Sequence, residues 1–193
     1  MLVLLSGAVA LLTLSSATAL IRGRTWVLNG PDTGMPLDLV PQITAADADS
    51  WQVVTALDLP VLTRVLSSLP GLVLGSALVA GALLVAHLLR EIARRRSFGP
   101  AARLGLGRLS LVLILGGAAS AVLDLVALLN MQAAISPLRD AWVREMRDDA
   151  PSVSVSVTPS VPVFVIVVGV IAAALLFALS DGARLEKDAE GVI

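Results

Sequence analysis

Apolar and polar positions fall into long blocks along most of the chain. A helix crossing a hydrocarbon core of about 30 Å needs roughly 20 apolar residues. Windows of that kind lie at about 2–21, 70–89, 109–129 and 162–179, and no Lys or Arg stands inside any of them. Arg22 and Arg24 close the first and Arg90 closes the second. The pattern predicts an all-α membrane protein, a four-transmembrane-helix bundle in a single membrane domain. The first window also fits a secretory signal, with Ala17-Thr18-Ala19 as its small-x-small site. Its length, and the lack of a basic residue ahead of it, favour a retained helix.

Between the windows the period changes. Thr25-Trp26-Val27-Leu28 is β-branched and aromatic and runs into the turn residues Asn29-Gly30-Pro31-Asp32. Short strands are expected at about 37–43 and 51–56. Asp58 then stands as a helix cap with Pro60 behind it, and Leu59, Leu62, Leu66 and Leu69 repeat at helical spacing ahead of the second window. Ser136-Pro137 reads as a further helix start, with Leu138, Trp142 and Met146 on one face. From 151 onward Val153, Val155 and Val157 alternate with Ser152, Ser154, Ser156 and Thr158, the two-residue period of a strand with one buried face. A lone strand leaves half its backbone groups unpaired, so a small sheet joining the two loops is the economical arrangement, and a flexible Ser/Val linker is the rival. Pro159 and Pro162 end the pairing because neither can donate to a ladder. The expectation is a small extracytoplasmic β-containing cap from 22–69 and 130–161, with a loop at 90–108 and a tail at 180–193 on the other side.

Charge sets that orientation. The 90–108 loop carries Arg90, Arg94, Arg95, Arg96, Arg103 and Arg108 against Glu91 alone, whereas the other two loops mix arginines with acids. Concentrated basic residues mark the cytoplasmic side, so both termini are expected in the cytoplasm of a bacterial plasma-membrane protein. Arg22 and Arg24 run against this rule. The arginine loop is also the candidate membrane-surface or docking element, each Arg near anionic lipid contributing about 1 kcal/mol. Trp26 and Trp142 are the candidate interfacial anchors.

Composition agrees with a bilayer and excludes several chemistries. The 193 residues are 56% hydrophobic and 15% charged, with a net charge of −1, which leaves no basic face for nucleic acid. The chain has no cysteine, so disulfides, thiolate metal sites and thiol nucleophiles are excluded. Asp124 is the main ionisable group inside a predicted span, where a carboxylate costs about 2.5–3.5 kcal/mol on insertion scales. It is the candidate functional residue, either structural, with Arg64 or Ser15 and Ser16 as partners, or a proton or substrate site. His87, the sole histidine, reads as interfacial. Asp47 and Asp49 lack the glycine and distal glutamate of a calcium loop. Gly105-Leu106-Gly107 has Ser110 where a dinucleotide fingerprint needs glycine. No nucleophile–base pairing is legible, so neither catalytic residues nor a cofactor or metal site are assigned. Small residues four apart, at Gly71/Gly75, Ala77/Gly81, Gly116/Ser120 and Gly169/Ala173, let membrane helices approach closely.

Two segments resemble a known family. Ser97-Phe98-Gly99-Pro100-Ala101-Ala102-Arg103-Leu104 is similar to a PF-x-P-x-N-x-R-x-L element, with Ser97 in place of its first proline. The C-terminal run from Asp181 to Ile193 resembles the ending rrGarLreDvEGLV, and Leu69-Pro70-Gly71 fits the entry to the second span. Both segments resemble elements found in the actinobacterial branch of the domain of unknown function 2975 family. The resemblance implies a four-helix bacterial membrane protein without an assigned activity. The function expected is a non-enzymatic partner-binding, sensory or regulatory module in the lipid bilayer, working with a protein partner or as a homo-oligomer. The alternative is a small transporter or channel subunit using Asp124.

Overall fold

The computed structural model describes residues 2–24, 34–46, 55–93, 100–145, 155–159 and 161–190. Its architecture is all-α, with four long helices: α1 (Leu2–Arg22), α2 (Val61–Ala93), α3 (Pro100–Glu145) and α4 (Val163–Glu190). Val61–Arg90 and Leu104–Pro137 are each long and apolar enough to cross a membrane, with a mean hydropathy of 2.3. Ser6–Arg22 and Val163–Ala178 form shorter apolar helical stretches. Large apolar side chains stand exposed on all four helices, among them Leu11, Leu62, Leu111 and Phe164.

Two helices run further than the hydropathy pattern predicts. Pro70, expected to open the second span, lies inside α2, which begins at Val61 and so joins the helix expected over Leu59–Leu69 to the span as one element. Pro137, expected to begin a new helix, lies inside α3. A proline in a helix interior removes one backbone hydrogen bond. Near Pro137 that loss is tolerable because Ala133, whose carbonyl is the one deprived of a donor, is on an exposed turn.

The chain divides into two compact units. One comprises Met1–Leu11, Leu74–Ala118 and Pro162–Ile193. Its core is Leu109, Leu113, Val165 and Ala172, with Leu74, Leu84, Val85 and Val168 packed around them. Gly116 lies against Ala77 so closely that an added Cβ would collide with the alanine methyl. The small-residue pattern is thus used here to bring α2 and α3 together within the chain. At the start of α4 the Pro162 carbonyl accepts the Val165 and Ile166 amides at 3.1 and 3.3 Å, so Pro162 supports the first turn without needing an N–H of its own.

The other unit comprises Leu12–Val73 and Ala119–Val161. Helix α1 ends there in a glycine-based cap: Gly23 takes φ +67°, its amide donates to Leu20 O at 3.0 Å, and the Arg24 amide donates to Ala19 O at 3.1 Å. These two bonds satisfy carbonyls that the helix end would leave open. The Met35 amide then donates to Gly23 O and the Ala56 amide to Met35 O, both at 2.8 Å. Met35 thereby ties the end of α1 to a short 3₁₀ turn at Ala56–Asp58. Asp58, expected to cap the following helix, instead closes this turn, its Oδ2 accepting from the Thr55 amide at 2.8 Å. Leu20, Met35, Leu37, Val40, Ile43, Ala56, Leu59 and Met131 form the core.

A minimal antiparallel pairing joins β1 (Ile43–Ala46) to β2 (Val155–Val157), with an irregularity between Ile43 and Ala45. It is too short to form a sheet layer. The stretch expected as a strand at 37–43 is mostly something else: Leu37–Leu39 is a 3₁₀ turn, and pairing starts only at Ile43. The strand expected at 51–56 falls largely outside the described residues, as do Ser152–Ser154 at the head of the Ser/Val alternation.

Candidate functional site

The most polar buried region of the second unit lies between the facing parts of α2 and α3. Thr63 and Ser67 are one turn apart on α2, and Ser120 and Asp124 are one turn apart on α3; all four are buried. Residues at this spacing share a helix face, so each helix turns a polar row inward.

Three contacts set the register. The Thr63 hydroxyl donates to Asn130 Oδ1 at 2.8 Å. The Ser120 hydroxyl donates to the main-chain oxygen of Pro70 at 3.0 Å. Between these rungs sits Gln42, from the segment preceding β1, whose Nε2 donates to Asp124 Oδ1 at 2.9 Å and lies 3.4 Å from Ser67 O. Partners advance along α2 as they retreat along α3, so the two helices run antiparallel through this unit.

Gln42 is 1% exposed and Asp124 is 3% exposed. A bond between a carboxylate and an amide donor in such surroundings is charge-assisted and short, and it belongs to the class worth about 1.5–3 kcal/mol. The backbone holds Gln42 in place as well, because its carbonyl accepts from the Thr158 amide at 3.2 Å, just beyond β2. The β1–β2 pairing and the carboxylate on α3 are therefore linked through one glutamine. Two further polar atoms of the cluster, Gln42 Oε1 and Ser67 Oγ, are buried without a hydrogen-bond partner among the described residues. Ser67 also lines a crevice of about 100 Å³, with Thr13 and Ser16 of α1, Met35, Pro41 and Ser68.

The partners expected for Asp124 from the sequence are replaced by Gln42. The Ser15 and Ser16 hydroxyls donate back to Leu12 O in their own helix, each at 2.9 Å, which is what serines do when no outside acceptor is near. Arg64 packs towards the glycine cap of α1, within reach of Gly23, and its Nε is buried without a partner among the described residues. Gln42 carried no signal of its own, being a single amide in a loop. Thr63, Ser67 and Asn130 were findable as polar residues recurring on apolar helices.

The other candidates form no site with Asp124 among the described contacts. Arg90 and Arg108 are exposed, as is His87. Arg103 lies in the first turn of α3 and Trp142 near its end, both with side chains outside the described set; Arg94, Arg95, Arg96 and Trp26 lie outside the described residues altogether. Among the described residues no three His, Cys, Asp or Glu side chains are grouped as a metal site. No family model, no curated protein and no solved structure matches the chain.

Proposed function

We propose that this chain is a multi-pass plasma-membrane protein acting as a non-enzymatic sensory or regulatory module. All four helices cross the bilayer, both termini and the arginine loop at 90–108 are cytoplasmic, and the segments 22–69 and 130–161 form an extracytoplasmic cap. Low burial of the two longest apolar stretches, at 22% and 33% of their most apolar windows, supports lipid rather than protein as their main surrounding. In a soluble core such helices bury most of their surface.

One contact carries the functional reading: Gln42 Nε2 on Asp124 Oδ1 at 2.9 Å. It ties a cap segment to an ionisable group on a membrane helix, so a partner or solute acting on the cap alters the surroundings of Asp124, and the converse. The Arg90, Arg94–Arg96, Arg103 and Arg108 group serves as the cytoplasmic surface, meeting anionic lipid or a protein partner. The row of buried Thr63, Ser67 and Asp124 with half-buried Asn130 is the specific support for a second reading, a small transporter or channel subunit using Asp124.

Absence of cysteine allows a direct test of the topology. With single cysteines at positions 48 and 97, an impermeant thiol reagent is expected to label only the first in intact cells, and the reverse pattern refutes the orientation. Coupling is tested by amide hydrogen exchange in lipid nanodiscs. Gln42→Met is expected to speed exchange across 34–46, and unchanged exchange refutes the reading.

A further inference from the structure

One face of α2 carries Arg64, Ser67, Ser68, Gly71 and Leu72, at i, i+3, i+4, i+7 and i+8. The last four line the crevice of about 100 Å³, to which α1 adds Thr13, Ser16, Ala17 and Leu20. Met35, Leu39 and Pro41 of the cap segment complete the wall. No charged residue lines it. Gly71 is exposed, and a Cβ added there would meet nothing within 4 Å, which leaves open space at the edge of the crevice.

Arg64 stands one turn of α2 beyond this slot. Its Nη1 would lie 2.7 Å from a Cβ on Gly23, three positions past Leu20 in the chain. Both helices therefore lead out of the crevice towards the same cation, and the exposed Arg22 and Arg24 flank that glycine. The C-terminus of α1 favours a positive charge there through the helix dipole. Arg64 Nε is buried without a partner among the described residues. The carboxylate of nearby Asp58 is engaged elsewhere, its Oδ2 accepting from the Thr55 amide at 2.8 Å and hydroxyl at 3.2 Å.

We propose that this crevice and Arg64 bind one anionic phospholipid, its phosphate on the guanidinium and the upper part of one acyl chain in the slot. A volume of about 100 Å³ admits roughly three or four methylene-sized groups, so the rest of the lipid stays in the bilayer. Apolar walls hold a chain no better than surrounding lipid does, and selectivity falls to the headgroup. A guanidinium donates two parallel hydrogen bonds to phosphate oxygens. A choline or ethanolamine headgroup would bring another cation to a place already holding Arg22, Arg24 and Arg64, so a net negative headgroup is preferred. Ser67, 2% exposed and with its Oγ unpartnered among the described residues, stands one turn below Arg64 as the donor for an ester carbonyl. The proposal rests on the extracytoplasmic placement of 22–69 in the functional reading. It gives the arginines that depart from the positive-inside rule an outer-leaflet partner. It also names a ligand for the cap, since Pro41 in the crevice wall precedes Gln42.

Gly71→Cys places the only thiol of the chain at the crevice, and the test follows its alkylation by N-ethylmaleimide in neutral detergent micelles. Phosphatidylglycerol is expected to slow the reaction saturably. Phosphatidylcholine is expected to need about tenfold more for half protection, and inorganic phosphate to give none. Adding Arg64→Gln is expected to raise the half-protecting phosphatidylglycerol concentration by about tenfold or more, the scale of one charge-assisted pair. Leu62→Cys, exposed on α2 outside the crevice, is expected to show no protection. Absent protection at position 71, equal protection at 62, equal half-protection by the two lipids, or an unchanged value with Arg64→Gln each overturns the proposal. Protection by inorganic phosphate assigns the site to a free anion and overturns it too. Should Arg64→Gln fail to fold, the contrast between the two lipids decides alone. Micelles have no sides, so failure here leaves the topology standing; a reversed labelling pattern at 48 and 97 overturns the topology and leaves this readout unchanged.

Discussion

Gln42→Met and Asp124→Ala, singly and together, measure the link between the cap segment and α3. Methionine keeps most of the volume of glutamine and removes the donor, so the packing loss at a residue 1% exposed stays small. What remains is the loss of a charge-assisted bond of 2.9 Å and a carboxylate short of that donor in a buried setting. Bonds to charged groups are worth about 1.5–3 kcal/mol, and stranding a buried partner costs a similar amount. We therefore expect Gln42→Met to destabilise by about 2–3 kcal/mol. Asp124→Ala removes the acceptor and leaves a small cavity. With Asp124 already gone, Gln42→Met should cost little, so the coupling energy of the cycle is expected near 1.5–3 kcal/mol. The backbone bond from the Thr158 amide to Gln42 O is untouched by either change, which keeps the local chain path constant. The assay is reversible unfolding in mixed micelles with rising denaturing detergent, followed by the fluorescence of the chain's three tryptophans. Substitutions that do not interact add within about 0.3–0.5 kcal/mol. A coupling inside that margin refutes the assignment of this contact as a structural link.

Two glycines on facing helices give opposite expectations for the same substitution. Gly116→Ala forces a methyl into Ala77 and is expected to destabilise by about 1–3 kcal/mol. Gly71→Ala meets nothing within 4 Å and is expected to stabilise by up to about 1 kcal/mol through helix propensity; detergent unfolding of both variants checks the contrast, and equal effects refute the packing of α2 on α3. Gly23→Ala places a side chain at φ +67°, with its Cβ 2.7 Å from Arg64 Nη1. It is expected to cost at least about 1–2 kcal/mol, read as a lower midpoint of thermal unfolding, and an unchanged midpoint refutes the glycine cap of α1.

The arrangement of these contacts explains which parts of the protein were legible in advance. The four helices follow from apolar block length, because a run such as Val163–Leu179 has one way to satisfy its backbone without water and that way is local. The continuity of α2 through Pro70 and of α3 through Pro137 was missed for a related reason. Pro70 and Pro137 read as boundaries because proline removes a backbone donor, yet boundaries depend on whether the surroundings absorb that loss. Near Pro137 the deprived carbonyl, that of Ala133, lies on an exposed turn, whereas at Pro70 it is that of half-buried Leu66, and the helix continues through both.

Asp124 was identifiable as an unusual residue from its position alone, since a carboxylate in an apolar helix always demands an explanation. Its partner was not. Ser15, Ser16 and Arg64 were the natural guesses from composition and depth, but hydroxyls can turn back onto their own helix and a long arginine can follow a nearer turn. The residue that reaches Asp124 is Gln42, 82 positions away in the chain, and its approach depends on the β1–β2 pairing, the glycine cap of α1 and the core around Met131. Sequence by itself determined the helices, their apolar surfaces and the one suspicious charge, because each depends on local hydrogen bonding and solvent preference. Only the tertiary structure decided which polar groups meet, because a hydrogen bond is directional and reaches about 3 Å, and that proximity is set by the whole packing.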